Sequence, residues 1–291
     1  MPFATVNGLK VNYVTRGSGP HLLMFAPGGF RSVISRWTSD GFKGVWQEMN
    51  ALDALARHFT VIAYDRRESG LSEGRIEPLD WNVYSHEAKG LLDHLGVKQS
   101  YILGGCMGAA LALRMGVLFP ERCKGLLMHW PVGGYRWLMR GKSDFQRHID
   151  FVRANGLAAV VERAPKGENF FLDPEIGPWG SPAAVYPAFA ELLKQQKIEP
   201  YLEIVAATRD AFFRSEFPSG ATGDEMLKMT VPSIVMSGAD ASHPISAAWA
   251  IKELVPNVEL WNVFPPNQNA GNLFDAITGF INNLEGATAK A

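Results

Sequence analysis

The stretch Tyr101-Ile-Leu-Gly-Gly-Cys106-Met-Gly-Ala-Ala-Leu-Ala-Leu-Arg114 decides how the chain is expected to fold. An apolar run of strand type leads into two glycines, and a segment with apolar residues at helical spacing follows Cys106. Gly104, Cys106 and Gly108 stand in a G-x-nucleophile-x-G arrangement, in which small residues let the backbone bend tightly around the central side chain. The stretch therefore predicts a strand, a sharp turn that presents Cys106, and a helix.

Such a turn favours a negative charge beside the cysteine. The backbone N–H of Met107 is expected to face the space next to the sulfur, and the helix start adds a partial positive charge. A free cysteine is usually buried and inert, which is our interpretation of Cys123. A structural cysteine needs no glycine two residues away on both sides, so we predict that Cys106 is reactive.

Composition limits the class of protein. The chain has 291 residues, 47% of them hydrophobic, and a net charge of −1, which fits one large α/β domain with an insertion or two ordinary domains. We expect no nucleic-acid partner, because no basic excess is visible, and no membrane partner, because no apolar stretch is long enough to span a bilayer. Two cysteines and no signal-peptide pattern predict a reduced, cytoplasmic protein. No cofactor or metal is expected; a homodimer is left open.

Strand and helix patterns alternate along most of the chain. Asn7-Gly8 joins two β-type runs as a hairpin turn would, and Phe42 to His58 reads as one amphipathic helix. The alternation predicts right-handed crossovers, a mostly parallel sheet, and a functional crevice at the carboxyl ends of the strands. Between Gly133 and Lys228 the rhythm gives way to helical patches separated by Pro and Gly.

These motifs resemble those of the α/β-hydrolase superfamily over nearly the whole chain. Besides the elbow at Cys106, the Asp65 to Ser72 segment looks like its D-x-R-G-x-G-x-S turn, with Glu68 in place of a glycine. The resemblance implies an eight-stranded, mostly parallel α/β sheet with an inserted helical cap. The expected division is a core of residues 1–132 and 229–285, a cap of 133–228 and a disordered tail of 286–291.

The resemblance also implies roles for single residues. The backbone of Gly28, Gly29 and Phe30, after the His21 to Ala26 strand, would complete an oxyanion hole with Met107 N–H, and Asp240 stands where the superfamily has its catalytic acid. The cap would roof the pocket with aromatic side chains. The candidate substrate-binding residues are Arg67, Trp130, Trp137 and Trp179.

The pattern breaks at the loop where the superfamily carries its catalytic histidine. Residues 264–271 contain no histidine, although a nucleophile of this kind normally works with an adjacent base. His243, three residues after Asp240, and His129, at the end of the strand next to the elbow, are the two candidates. The third alternative is that no histidine acts and the helix start alone favours the thiolate.

The sequence favours a cysteine-nucleophile hydrolase of a small or medium, largely apolar acyl substrate. A thiolate is a better nucleophile and a better leaving group than an alkoxide, which suits esters, thioesters and lactones. Dienelactone hydrolases, in the same superfamily, also use an elbow cysteine but keep the usual histidine. Two alternatives stay open: a cofactor-free lyase, hydratase or decarboxylase using the same pocket, and a non-catalytic protein that binds a small ligand.

Overall fold

A single mixed sheet organises the molecule. The computed structural model describes residues 2–38, 44–167, 169–215 and 217–288. In these residues the sheet has eight strands in the order β1-β2-β4-β3-β5-β6-β7-β8, with β1 and β2 antiparallel and the remaining strands parallel. The strands are β1 Phe3–Val6, β2 Leu9–Arg16, β3 His21–Phe25, β4 Thr60–Tyr64, β5 Ser100–Gly105, β6 Cys123–His129, β7 Ser233–Met236 and β8 Val258–Trp261. The predicted fold class is confirmed.

Helices cover both faces of the sheet. Buried side chains of α3 and α4 form a core on one face, and those of α1, α2 and α11 form a core on the other. The core helices are α1 Val45–Met49, α2 Ala51–Leu55, α3 Trp81–His94, α4 Met107–Leu118, α10 Ile245–Leu254 and α11 Ala270–Thr288. Strands covered on both sides bury nearly every residue, as β5 does, which explains the continuous apolar runs in the sequence.

The segment between β6 and β7 is almost entirely helical. It contains α5 Gly134–Arg163, α6 Gly180–Val185, α7 Pro187–Lys194, α8 Ile198–Phe212 and α9 Gly223–Leu227. The long helix α5 is kinked at Gly156, whose φ of 76° is not helical. All five helices fall inside residues 133–228, and we keep the name cap for that segment.

Three local predictions can be compared with the structure. Asn7 and Gly8 both have positive φ, at 50° and 76°, as a tight hairpin turn requires. The single helix expected over residues 42–58 is wrong where it can be judged, because Asn50 adopts a left-handed φ of 47° and separates α1 from α2; residues 42 and 43 lie outside the described residues.

The disordered tail expected from Gly286 is also wrong for its first residues. Helix α11 continues to Thr288, and residues 289–291 lie outside the described part of the chain. None of the helices in the described ranges combines the length and apolar character needed to cross a bilayer.

Candidate active site at the carboxyl edge of the sheet

Cys106 lies in a strained turn between β5 and α4. Its φ of 57° and ψ of −124° fall in a region that side-chain-bearing residues rarely adopt. A Cβ on Gly104 would lie 1.9 Å from the carbonyl oxygen of Gly108, and one on Gly108 would lie 2.2 Å from that of Phe25. Only glycine fits at either position. The two glycines that flank Cys106 in the sequence are therefore required by the tight packing that holds its side chain out of the sheet. The thiol is half-buried, whereas Cys123 is buried.

Two backbone N–H groups converge on the sulfur of Cys106. They belong to Met107, at the start of α4, and to Gly28, after β3. Gly28 has a φ of 133°, and a Cβ there would lie 2.3 Å from the carbonyl oxygen of Arg31, so this loop also depends on glycine. Residues 27–30 are called the oxyanion loop below. Donors held in this way stabilise a negative charge at or beside the sulfur.

The other two residues expected in the oxyanion hole make different contacts. The carbonyl of Gly29 accepts a hydrogen bond from Arg66, and that of Phe30 accepts one from the Ser69 hydroxyl at 3.1 Å. The backbone N–H groups described at the sulfur are those of Gly28 and Met107. Gly29 and Phe30 instead anchor the loop to the turn after β4.

His243 and Asp240 form a pair on the loop after β7. The imidazole Nδ1 lies 2.9 Å from both carboxylate oxygens of Asp240, and Oδ1 also accepts from the backbone N–H groups of Ser242 and His243. The turn therefore folds back on itself, which brings side chains three residues apart into contact. The following helix has no side-chain cap, so Asp240 is free to orient the imidazole.

The second ring nitrogen of His243 is left for Cys106. Nε2 is buried and forms no hydrogen bond of standard geometry within the described residues, while the ring and the thiol interact electrostatically. Burial disfavours the imidazolium, but the charges on Cys106 and Asp240 outweigh it and raise the pKa of His243 to about 10. Burial likewise disfavours the thiolate, but His243 and the N–H groups of Met107 and Gly28 lower the pKa of Cys106 below its usual value. Both shifts favour a thiolate–imidazolium pair.

The Asp240 carboxylate completes this arrangement. Its hydrogen bond to His243 is the largest influence holding its pKa low, at about 2. Asp240 is therefore ionised throughout the pH range in which the imidazole gains or loses its proton. Cys106, His243 and Asp240 have the mutual arrangement of a nucleophile, a base and the group that orients the base.

His129 lies close by in a different environment. It is buried, its ring packs edge-on to Trp46 at 4.8 Å and stacks on Trp130 at 5.4 Å, and burial followed by the nearby His243 lowers its pKa to about 3. No carboxylate hydrogen bond to His129 is found among the described residues. A neutral imidazole between two indoles is poorly suited to accept a proton, so the geometry favours His243.

The four candidate substrate-binding residues divide into two groups. Trp130 packs against His243 with ring centroids 5.7 Å apart, and Trp137 packs against Phe171 at 5.5 Å within the cap. Arg67 is buried and paired with Glu68 and Glu77, and Trp179 is fully buried with its indole N–H on the carbonyl of Arg75. We correct the assignment of Arg67 and Trp179, because these internal contacts brace the turn after β4 and the cap.

An aromatic cluster from the cap covers the oxyanion loop. The Phe30 ring contacts four others at centroid distances of 5.3 to 5.8 Å, from Phe145, Phe170, Phe171 and Phe212. A Cβ on Gly29 would lie 2.6 Å from the Phe171 ring. The surface above the oxyanion loop is thus apolar and belongs to the cap.

A cavity opens between the core and the cap beside the oxyanion loop. Its volume is about 720 Å³. Its walls combine apolar residues such as Val33, Ile34 and Leu71 with the basic Arg31 and Lys166. The residues that line the cavity include neither Cys106 nor His243, so the cavity neighbours the site without opening onto the thiol.

Sequence reasoning missed Gln268 in the loop after β8. Its amide N–H₂ donates to the carbonyls of Ser237 at 2.9 Å and Val263 at 3.1 Å, and its oxygen accepts from the indole of Trp130 at 2.7 Å. The only available signal was its place in the loop where a histidine is expected. A glutamine there belongs to no recognised motif.

Comparison with known proteins agrees with this architecture. The family model described as alpha/beta hydrolase fold matches residues 22–165. The enol-lactonase from Burkholderia xenovorans LB400 superposes with a TM-score of 0.59 at 18% identity, covering 99% of this chain and 100% of that one. The chain belongs to the α/β-hydrolase superfamily.

Curated relatives match over shorter stretches. The uncharacterized hydrolase YraK of Bacillus subtilis (strain 168) is 30% identical over 129 residues, 44% of this chain and 43% of that protein. The soluble epoxide hydrolase of Corynebacterium sp. (strain C12) is 32% identical over 109 residues, 38% of this chain and 34% of that protein. The chain thus matches less than half the length of these two relatives.

Proposed function

We propose that the protein is a hydrolase that cleaves small or medium apolar acyl compounds through a covalent acyl-Cys106 intermediate. One observation carries the proposal. The Cys106 thiol interacts with His243, accepts hydrogen bonds from the backbone N–H groups of Met107 and Gly28, and lies beside an imidazole that Asp240 holds in place. The hydrolase names of the relatives agree with this class of reaction. Esters, thioesters and lactones are the substrates that suit a cysteine nucleophile.

In the first half of the reaction the Cys106 thiolate attacks the acyl carbonyl carbon. A C–S bond forms, and the carbonyl electron pair moves to the oxygen, which accepts hydrogen bonds from Met107 and Gly28. When this intermediate collapses, the bond to the leaving group breaks. The His243 imidazolium donates its Nε2 proton to the departing alkoxide, thiolate or enolate.

In the second half a water molecule releases the acyl group. His243, now neutral, takes a proton from water as the oxygen attacks the thioester carbon, and the acid product leaves as the C–S bond breaks. Asp240 keeps Nδ1 protonated throughout, so Nε2 is always the atom that exchanges the proton. The apolar rings above the oxyanion loop favour an acyl group without charge.

Acid-quenched mass spectrometry tests the proposal. The protein is mixed with p-nitrophenyl acetate, p-nitrophenyl butyrate, δ-valerolactone and an S-acyl thioester, quenched within milliseconds to seconds, and digested. We expect the acyl mass on the peptide containing Cys106 and an unmodified Cys123 peptide, because burial raises the pKa of the Cys123 thiol to about 12. Turnover without an adduct, even when deacylation is slowed at low pH, would contradict the covalent route.

A further inference from the structure

Trp130 occupies an unusual backbone position next to the proposed base. It follows β6 with a φ of 51°, in the left-handed region that an aromatic residue seldom adopts, and its N–H donates to the carbonyl of Met236 at 2.8 Å. Strain of this kind persists only where surrounding contacts enforce it. The indole is thus held in place by its neighbours.

The Trp130 indole packs against the imidazole of His243. The two ring centroids lie 5.7 Å apart at 47°, and Gly238 lies between the two residues. A Cβ on Gly238 would lie 2.6 Å from the His243 Cβ and 3.1 Å from Cδ2 of Trp130. Packing this close leaves the imidazole little freedom to swing away from Cys106.

Gln268 holds the indole through one hydrogen bond and is itself anchored by two others. Its oxygen accepts from Trp130 Nε1 at 2.7 Å, while its nitrogen donates to the carbonyls of Ser237, just after β7, and Val263, just after β8. The amide thus ties the ends of two neighbouring strands to the ring that supports His243. Both N–H bonds and one oxygen lone pair are used in this way, and the side chain also interacts with the neighbouring His129, which favours a single rotamer.

We propose that Gln268 is a positioning residue for catalysis: it holds Trp130 against His243 so that Nε2 of the imidazole stays directed at the Cys106 thiol. The inference rests on the proposed function, because it assigns Gln268 a task only if His243 is the base. It also explains how the loop after β8 contributes to the site without a histidine. The titratable groups that interact with His243 in the described residues are Asp240, Cys106 and His129.

The pH dependence of Cys106 alkylation measures this positioning. Second-order rates with iodoacetamide are determined from about pH 4 to 10 and followed on the Cys106 peptide. Gln268→Met removes all three hydrogen bonds at similar size, and Trp130→Phe keeps a ring but removes the indole N–H. Gln99→Met, a glutamine whose amide reaches Glu121 far from the site, is the matched control.

For the parent we expect a midpoint below that of an ordinary thiol, and in Gln268→Met and Trp130→Phe a midpoint higher by about one pH unit. The double variant should shift no further than the larger single shift, because both changes break one bridge. Gln99→Met should match the parent. Midpoints unchanged in both single variants, or fully additive shifts, would overturn the inference.

Further outcomes distinguish a failure to fold, a failure of this inference and a failure of the proposed function. If Gln268→Met fails to fold, as judged by circular dichroism and thermal unfolding, Trp130→Phe alone decides, and a parent-like midpoint overturns the inference. A low midpoint in the parent with unshifted variants removes the role of Gln268 and leaves the proposed function intact. A parent that titrates as an ordinary thiol overturns the thiolate–imidazolium pair, and the inference with it.

Discussion

The turn after β5 and the loop after β8 both reach the carboxyl edge of the sheet, yet they tolerate change very differently. At the elbow, Gly104 and Gly108 contact backbone carbonyls so closely that no side chain fits, and these contacts fix the backbone position of Cys106. The loop after β8 has no such contacts at Gln268, which meets its neighbours through a flexible side chain. Backbone contacts therefore fix the position of the nucleophile. The base is supported by side-chain contacts, which residues of different type can provide.

This difference explains how the base can lie on the loop after β7 and not on the loop after β8. A general base needs only to reach the nucleophile and to be oriented by a third group. The loop after β7 meets both needs within one turn, because Asp240 binds the Nδ1 of His243 at 2.9 Å.

Loss of the nucleophile should have the largest effect. Cys106→Ala is expected to abolish acyl transfer and to fold normally, since it removes a single sulfur atom from a half-buried side chain. Turnover, circular dichroism and thermal unfolding check this, with Cys123→Ala as the matched cysteine control that keeps its activity. Residual activity above a few per cent in Cys106→Ala would assign the chemistry to another group and favour lyase chemistry.

Loss of the orienting carboxylate should have a smaller effect. Asp240→Asn is expected to lower turnover about 10-fold, less than loss of the base itself, because the amide oxygen still accepts from Nδ1. Without the negative charge the raised pKa of His243 falls. The imidazolium that protonates the leaving group is present below that pKa, so activity should decline at lower pH than in the parent. Asp275→Asn, an exposed carboxylate on α11, serves as the control; a parent-like profile in Asp240→Asn would contradict the role of the pair.

The smallest expected effect is on thermal stability, and it comes from a residue away from the thiol. Glu87 on α3 is buried, and burial followed by the charge of Glu68 raises its pKa to about 8. A carboxyl with a raised folded-state pKa costs stability once it ionises, so stability should fall as pH rises from the ordinary carboxyl range through about 8. Glu87→Gln should match the parent near pH 5 and melt roughly 5 °C higher near pH 9. Equal melting temperatures at both pH values would show that Glu87 is ionised without penalty.

How far the sequence predicts each feature depends on the range of the contacts involved. The elbow and the hairpin at Asn7-Gly8 follow from local backbone geometry, and the pair Asp240 and His243 lies on one short loop. Gln268 and Trp130 are separated by 138 positions, so no local pattern joins them. The burial of Arg67 among Glu68, Glu77 and Glu87 likewise depends on packing between distant segments.

The position of the base is the central claim, and a comparison of His243→Gln with His129→Gln tests it most directly. Steady-state turnover of a p-nitrophenyl ester is measured for both variants across pH, with thermal unfolding as the folding check. We expect turnover about 100-fold lower in His243→Gln, with remaining activity confined to alkaline pH as the Cys106 pKa returns toward that of a free thiol, about 8.5. His129→Gln should stay within about threefold of the parent, since a neutral buried ring transfers no proton. A parent-like His243→Gln, or the larger loss in a folded His129→Gln, would contradict the account.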